Sequence, residues 1–381
     1  MFAPDSNSFP LVGIKPVLNA QNQWAGLALQ MPCAATVPAL QSLLGCEESQ
    51  ELGAIDYYIP LADPLALEPA QLDALPLSRM VLTVPAASLA DGAVQRRCKE
   101  LSDRGLRLMA DGEVNITAAQ CGIRGLDVDC ADALPSALAM MTLPGPHLAR
   151  NAYAMPPGFA LLRGELPRAE EHDAGQGDGT SRKRLLALLG LLAQDADSRE
   201  LETLLKQDPA LSYQLLKLVN SAAFAPNSNP IHNFGQAINM LGRRQLQRWL
   251  QLLLYARQQD DGQANALLPL AALRAAQMEA LCKLKDGDRD EQDLAFLVGV
   301  FSLLDVLLAM PMTEIVSALN LDLDVVAALL DRSGQLGEML ALVEMHEPQS
   351  SALADVGIDN ETYWRSLLQA YQWALQVSRN V

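Results

Sequence analysis

Helix-start signals recur along residues 181–257, and they constrain the fold of this chain more than any other feature. Asp197 is followed three residues later by Glu200, the capping-box spacing that satisfies free backbone N–H groups at a helix start. Asp208 then precedes Pro209, which puts an acidic N-cap before a proline at the first helical position, where its missing N–H costs nothing. The segment therefore predicts a series of short amphipathic helices.

The predicted helix after Pro209 carries a continuous apolar stripe and ends in a polar turn. Leu211, Leu215, Leu218 and Val219 fall at i, i+4, i+7 and i+8, which places them on one helix face. The run 225–230 that follows is rich in proline, asparagine and serine, as turns are. After one more short predicted helix, Gly242 is well placed to end it.

The order of these motifs resembles the HDOD family, a helical output domain of bacterial signalling proteins. The motifs are QDPALSYQLLKLVNSAAF, then a proline and an isoleucine, then QAINMLGRRQL. The resemblance is dense from Leu185 to about Tyr255 and looser in the helices beyond. It implies an all-α, HD-like domain over residues 182–381. The residues alone leave open an unrelated helical bundle with good caps.

Composition and charge exclude several classes of function. The chain has 381 residues and a formal net charge of −17, so a phosphate-rich duplex would be repelled and no nucleic-acid partner is expected. The start has no basic n-region and no apolar h-region, which predicts no signal peptide. The most apolar run, 294–310, contains Asp305 and favours a buried helix over membrane insertion. We therefore expect a soluble, cytoplasmic protein.

Residues 1–165 consist of short apolar runs separated by proline and glycine. The runs at 11–14 and 24–29 flank a turn at 19–23 and predict a hairpin. Further strands are predicted at 54–59, 80–84, 106–110, 126–128 and 158–162, with a helix at 90–103. The alternation of strand and helix with glycine breaks predicts parallel β/α units.

This half resembles, less closely, the EAL-type domain that precedes an HDOD domain in some signalling proteins. Segments that follow the family's order of elements are Gly26–Leu29, Val81–Thr83, Gly105–Gly112, Gly125–Asp127 and Pro157–Phe159. Ala28, Thr83, Gly112 and Gly125 stand where the family has metal-binding acids and a lysine. The short intervals after Asp111 and Asp127 imply a degenerate, incomplete EAL/TIM-like barrel. Missing β/α units would leave sheet edges for the C-terminal domain to cover.

These departures bear on catalysis. Hydrolysis of a cyclic dinucleotide in the EAL family needs two divalent cations held by converging carboxylates. Of the aligned positions only Asp111 and Asp127 keep an acid, and each is as simply a capping or strand-end residue. We therefore expect no catalytic residue, no metal and no cofactor here. A receptor for the dinucleotide would need arginines at the barrel mouth, for which Arg124 and Arg163 are the candidates.

The HDOD half also lacks a recognisable metal motif. HDOD domains resemble HD-type metal phosphohydrolases, and Ser302 and Leu303 stand where the His–Asp pair of those enzymes would be. The chain has four histidines, and His172 adjoins Asp173 only in a glycine-rich segment, 166–181, that predicts a flexible linker. The six cysteines show no metal-ligand spacing and predict reduced, structural thiols.

We thus predict three segments: a degenerate EAL-like α/β domain at 1–165, a linker at 166–181 and an HDOD all-α domain at 182–381. The predicted function is a non-enzymatic bacterial signalling scaffold that acts through protein contacts of the HDOD domain. The alternative is a cyclic di-GMP receptor or residual phosphodiesterase using the N-terminal domain. Expected partners are signalling proteins such as a histidine kinase or a diguanylate cyclase, and a homodimer is left open.

Partner-binding residues are predicted at the polar turn and at the start of the following helix. They are Asn220, Ser221, Phe224, Arg243, Arg244 and Arg248. A solvated helix face is the alternative explanation of the three arginines. For Asn220 and Ser221 the alternative is that their side chains bond neighbouring backbone and fix the turn.

Overall fold

In a computed structural model, the chain forms two compact units. The first unit contains residues 1–166 and 345–368, and the second contains residues 167–344 and 369–381. The structure describes residues 9–31, 35–53, 55–67, 72, 75–112, 120–129, 143–152, 155–163, 190, 242–253, 255, 267–319, 321–345 and 347–380. The predicted linker at 166–181 and the turn at 220–231 lie outside these residues.

In the described part of the first unit, eight strands close into a barrel in sequence order. The strands are β1 (Gly13–Asn19), β2 (Trp24–Gln30), β3 (Asp56–Pro60), β4 (Met80–Pro85), β5 (Arg107–Asp111), β6 (Ile123–Asp129), β7 (Leu148–Arg150) and β8 (Leu161–Arg163). β1 runs antiparallel to its neighbours β2 and β8, and the remaining pairs from β2 to β8 are parallel. The predicted hairpin is present, with the Asn19 side chain accepting from the backbone N–H groups of Gln21 and Gln23.

The barrel is closed, so the expectation of an incomplete barrel with exposed edges is wrong. Two very short strands complete the barrel. β7 and β8 have three residues each, and each strand pairs with both of its neighbours. No strand is predicted at Leu148–Arg150, because three residues are too few for a periodicity to be recognised. Closure leaves no sheet edge in the barrel that needs cover.

Three helices of the first unit follow from local signals in the sequence. They are α1 (Val37–Leu44), α2 (Glu47–Glu51) and α3 (Gly92–Asp103). The Thr36 side chain caps α1 by accepting from the N–H of Ala39, and proline stands in its first turn. The Asp91 side chain caps α3 in the same way through Ala93. The apolar faces of α1 and α3 are buried.

The barrel interior is filled by side chains, one from each of seven strands. These are Val17, Ala28, Tyr58, Val81, Met109, Leu148 and Leu161. The Tyr58 ring crosses toward β2, where Gly26 has no side chain. A Cβ on Gly26 would lie 2.4 Å from the Tyr58 ring. Packing therefore requires glycine at position 26. The burial that packs the Tyr58 ring also raises the pKa of its hydroxyl.

The described part of the second unit is helical. Its helices are α4 (Arg243–Leu253), α5 (Leu267–Leu284), α6 (Arg289–Phe301), α7 (Leu304–Leu308), α8 (Met312–Ala318), α9 (Leu323–Asp331) and α10 (Gly334–Glu344). α6 starts with a full capping box of Asp288 and Glu291. The buried helix predicted from the apolar run 294–310 is present but breaks at Ser302 and Leu303 into α6 and α7.

Close packing of α5 and α6 forms the centre of this unit. A Cβ on Gly299 would lie 2.6 Å from the Cα of Ala275, so glycine lets the two helices approach. Phe296 and Phe301 of α6 are buried, and the fully buried Tyr255 hydroxyl donates to the Val300 carbonyl over 2.6 Å. Among the described residues, no helix is both long and apolar enough to cross a membrane.

The C-terminal segment is divided between the two units, while the HDOD boundary of 182–381 stays a prediction. α11 (Ser350–Asp355) lies in the first unit, whereas α12 (Asn360–Asn380) contributes residues up to 368 to the first unit and the remainder to the second. Trp364 explains the first assignment, because it is 1% exposed and its Nε1 donates to the Leu43 carbonyl of α1 over 2.9 Å. Sequence order alone could not reveal this long-range contact.

Candidate anion site at the mouth of the barrel

Polar side chains collect where the parallel strands of the barrel end. Side chains alternate along a strand, so the residues two positions beyond the central apolar layer also point inward. They include Asp111 on β5, Asp127 on β6, Arg150 on β7 and Arg163 on β8. The register supports this, because Asp111 pairs with Asp127, and Arg150 with Arg163. The carboxyl end of the strands is also where barrel folds place their functional residues.

Arg150 and Arg163 neutralise the two aspartates. Arg163 Nη2 donates to Asp127 Oδ2 over 3.2 Å, and Arg150 Nε lies 3.0 Å from Asp127 Oδ1. Arg150 Nη2 also donates to Asp111 Oδ1. Asp127 is 2% exposed, and burial raises its pKa although Arg163 and Arg150 act in the opposite direction. Burial likewise lowers the pKa of Arg163.

Two buried polar atoms at this mouth have no hydrogen-bond partner. Arg150 Nε is close to Asp127 but is not aligned for a hydrogen bond, and Gln30 Oε1 on β2 also lacks a donor. Buried polar groups are rarely left in this state without a reason, such as a ligand that pairs with them. The mouth therefore holds unused hydrogen-bonding capacity beside its cations.

A cavity of about 450 Å³ opens beside the two arginines. Three of its lining residues are cations, namely Lys15 at the start of β1, Arg150 and Arg163. Glu347 is the one acid that lines it among the described residues. The lining residues therefore carry a net positive charge, which Asp111 and Asp127 offset through their pairs with the two arginines. Its volume falls within the range of about 300–1,000 Å³ that is typical of small-molecule sites.

The described residues at the mouth do not fit a pair of divalent metal ions. Asp111 and Asp127 are already engaged with guanidinium groups, which would repel a metal cation. Elsewhere in the described ranges no three His, Cys, Asp or Glu residues come together to hold a metal. The positions aligned with other family ligands are equally unsuited, since Ala28 is in the central apolar layer and Thr83 is a buried hydroxyl.

The sequence identified part of this site. Asp111, Asp127 and Arg163, which the sequence singled out, lie at or near the ends of their strands. Arg124 is different, because it is exposed on β6 and does not line the cavity. Arg150 and Lys15 were missed. Arg150 belongs to the unrecognised β7, and Lys15 lies on β1, far from Arg150 in sequence.

Arg244 and Arg248, predicted to contact a partner, make ion pairs within their own unit. Arg248 donates to both carboxylate oxygens of Glu279 over 2.9 and 2.7 Å and stacks 4.5 Å above the Phe296 ring. It also lies 2.8 Å from Asp293, which accepts from Arg244 Nε over 2.6 Å. A fully solvated helix face is therefore excluded for Arg248, whose side chain is 15% exposed.

The partner-binding role of this set stays a prediction. Asn220, Ser221 and Phe224 lie outside the described residues, as does the side chain of Arg243. The ion pairs of Arg244 and Arg248 show that these two side chains support the helical unit itself, since they connect α4 to α5 and α6.

An arginine also occupies the region of the absent His–Asp pair. Arg274 Nη1 donates to Ser302 Oγ over 3.0 Å and to Glu344 over 3.2 Å, and Glu344 pairs with Arg332 as well. Burial lowers the pKa of Arg274. His147 is in the barrel unit with its Nδ1 buried, whereas His172, His232 and His346 lie outside the described residues.

The fold defines a class of protein with an α/β unit that contains an eight-stranded barrel and a second, helical unit. Residues 183–301 match the family model of the HDOD domain, so the chain carries an HDOD domain at that position. A solved structure of an HDOD domain protein from Geobacter sulfurreducens is 16% identical with a TM-score of 0.29, covering 42% of this chain and 70% of that chain.

Two curated proteins are similar over larger parts of the chain. Uncharacterized protein YuxH of Bacillus subtilis (strain 168) is 28% identical over 226 residues, which are 58% of this chain and 54% of that protein. Cyclic di-GMP phosphodiesterase CdgJ of Vibrio cholerae is 32% identical over 190 residues, which are 49% of this chain and 43% of that protein. The chain thus spans about half the length of the curated relatives it matches.

These similarities contradict one expectation. The sequence reading predicted that the chain is not an enzyme, whereas a relative at 32% identity is named a phosphodiesterase. The prediction rested on the loss of metal-binding acids at aligned positions of the barrel. That loss argues against one metal-dependent mechanism and cannot by itself exclude activity of the whole chain.

Proposed function

We propose that this protein takes part in cyclic di-GMP signalling and that the mouth of its barrel binds the cyclic dinucleotide. The observation that carries the proposal is the convergence of Lys15, Arg150 and Arg163 on one cavity at the carboxyl ends of the strands. The HDOD match and the name of the Vibrio cholerae relative point to the same kind of signalling.

The chemistry of the cavity suits a phosphodiester. Arginine binds phosphate oxygens through paired N–H donors, and lysine adds a compact positive charge. The low exposure of Asp127 shows that the mouth is partly shielded from water, which strengthens charge-assisted hydrogen bonds. The amides of Gln30, Asn151 and Gln349 also line the cavity and can serve the sugar or base groups of a nucleotide.

Hydrolysis of the dinucleotide is a second candidate function, favoured by the name of the relative in Vibrio cholerae. The described carboxylates at the mouth are held by arginines, so they supply no metal pair for this reaction. Binding and hydrolysis are therefore separate questions and need separate readouts.

A titration of the full chain with cyclic di-GMP tests the proposal, with product analysis on the same samples. Arg163→Gln is expected to weaken binding by about tenfold or more, because a charge-assisted contact is lost. Arg124→Gln is the matched control: this arginine is exposed on β6 and outside the cavity, so its loss should leave the affinity unchanged.

The outcomes separate clearly. Absence of cyclic di-GMP binding in this titration, even at high concentration, would refute the proposed function. Equal weakening by Arg163→Gln and Arg124→Gln would place the binding site elsewhere on the chain. Formation of a linear dinucleotide would establish hydrolysis, and thermal melting of each variant would show whether Arg163→Gln still folds.

A further inference from the structure

We infer that the barrel mouth binds the phosphodiester through guanidinium groups in place of divalent metal ions, with Asp111 and Asp127 as positioning residues. The inference rests on the proposed function and specifies how the anion is held. It also assigns Arg150, which sequence reasoning did not single out, as a principal anion-binding residue.

The ion-pair geometry is the first argument. Each aspartate at the mouth faces a guanidinium, and Asp127 lies within 3.2 Å of both Arg150 and Arg163. A divalent cation at Asp127 would have to displace or repel two fixed positive charges at short range. Two guanidinium groups are instead arranged where metal ions would otherwise neutralise the phosphate charge.

The unused donors are the second argument. A guanidinium carries five N–H groups. Among the described contacts Arg163 uses only Nη2, and it uses that nitrogen for Asp127. Arg150 uses Nη2 for Asp111 and holds its buried Nε 3.0 Å from Asp127 Oδ1, while its Nη1 makes no described contact. Both arginines line the cavity, so their remaining donors can pair with phosphate oxygens.

Local backbone geometry is the third argument, because it fixes Arg150 at the cavity wall. Asn151 follows Arg150 directly and adopts a left-handed conformation with φ of 56°. Non-glycine residues rarely take this conformation, and asparagine does so more readily than most. The chain therefore turns immediately after Arg150 and leaves the arginine at the end of β7, with its position set by β6 and β8.

The experiment is a titration of the full chain with cyclic di-GMP, first in excess EDTA and then with added Mg²⁺ or Mn²⁺. The expected result is an affinity that changes by less than about twofold between these conditions, since no metal takes part. Arg150→Gln should weaken binding by about tenfold or more, and Arg150→Lys should restore only part of it because lysine cannot bind bidentately.

A second measurement tests the positioning role and guards against a folding defect. In titrations with Mn²⁺ and no nucleotide, the parent chain and Asp127→Asn should behave alike, because Asp127 does not hold a metal ion. Asp127→Asn should bind the dinucleotide with an affinity that no longer depends on pH, whereas a purely structural role would leave the pH profile unchanged. Thermal melting of Arg150→Gln and Asp127→Asn identifies any variant that fails to fold. If Arg150→Gln does not fold, Arg150→Lys takes its place.

Two outcomes would overturn the inference while the proposed function survives: binding abolished by EDTA and restored by metal, or Arg150→Gln binding as tightly as the parent chain. Tight Mn²⁺ binding that Asp127→Asn removes would also overturn it. Absence of cyclic di-GMP binding in every condition would instead refute the proposed function, and the inference with it.

Discussion

At the residue scale, opposing effects set the pKa of Asp127. Burial raises its pKa, while Arg163 and Arg150 oppose this, and Asp111 and Asp129 reinforce it. Burial raises the pKa of Tyr58, and the charge of Asp127 adds to this rise. Lys15 and Glu347 line the adjoining cavity. As long as Asp127 is ionised, it competes with an incoming anion for the two arginines.

This competition predicts a pH dependence of anion binding. Because the pKa of Asp127 lies above its ordinary value, Asp127 takes up its proton on acidification before an ordinary aspartate does. The affinity for cyclic di-GMP should therefore begin to rise on acidification at a higher pH than an ordinary aspartate would give, and it should decrease again on return. Titrations from neutral pH down into the range where an ordinary aspartate takes up its proton measure the effect. A profile that stays flat in the parent chain would contradict the prediction, and Asp127→Asn serves as the control that should be flat.

Arg248 illustrates a residue whose apparent surface role is structural. It connects α4 to Glu279 and Asp293 and stacks on Phe296, with a side chain 15% exposed. Arg248→Ala should lower the free energy of unfolding of the helical unit by about 1–3 kcal/mol, less than for a fully buried pair because Glu279 and Asp293 are partly exposed. Denaturant unfolding followed by the fluorescence of Trp249 and Trp373 measures it.

Two comparison variants sharpen this prediction. Arg248→Lys keeps the charge and loses the bidentate contact and the stacking, so its stability should fall between those of the parent chain and the alanine variant. Arg365→Ala removes pairs of a half-exposed arginine with Glu361 and Glu48 and should lower stability less. If Arg248→Ala were as stable as Arg365→Ala, the ion pairs of α4 would have no structural role.

At the scale of elements, the contact between β2 and β3 depends on the absence of a side chain. A Cβ on Gly26 would lie 2.4 and 2.9 Å from two atoms of the Tyr58 ring. Gly26→Ala should therefore destabilise the barrel unit by about 1–3 kcal/mol, as overpacking does. Thermal or denaturant unfolding monitored at Trp24 and Trp364 measures the loss.

A double substitution tests the cause. Tyr58→Val removes the ring, so adding Gly26→Ala to that background should cost much less than it does in the parent chain. Gly92→Ala is the control, because a Cβ there meets nothing within 4 Å and alanine favours the helix α3. Equal costs of Gly26→Ala in both backgrounds would show that the ring is not the cause.

Local chemistry explains which elements the sequence could predict. The hairpin of β1 and β2, the strands β3 to β5, the helix α3 and most helices of the second unit have periodic apolar residues or caps at their ends. β7 has neither, and it brings Arg150 to the site. The break at Ser302 was also unseen, since it depends on Ser302 Oγ donating to the Gly299 carbonyl and accepting from Arg274 in a separate helix.

At the scale of the whole molecule, both units pair carboxylates of low exposure with arginines. In the barrel these are Arg150 and Arg163 with Asp127, and in the helical unit Arg274 with Glu344 near Ser302. The two cases share a physical consequence, because a guanidinium satisfies buried carboxylates without a bound ion. Among the described residues, the carboxylates of Asp127 and Glu344 are thus paired by the chain's own arginines.

The division of α12 between the units gives the last prediction. Trp364 is buried in the barrel unit and donates to Leu43, whereas Trp373 in the second unit contacts Trp249 and Phe296 with ring centroids 5.9 and 5.7 Å away. Trp364→Ala should destabilise the barrel unit by about 3–5 kcal/mol and thereby reduce the fraction of chains that bind cyclic di-GMP.

Trp373→Ala is the matched control, since it removes the same side chain from the same helix about two and a half turns further along. It should lower the stability of the helical unit and leave the affinity for cyclic di-GMP unchanged, because no residue that lines the cavity belongs to that unit. Thermal melting and titration of both variants decide between the alternatives. Equal loss of binding in both would mean that the barrel site depends on the helical unit, and the two units would then have to be treated as one cooperative body.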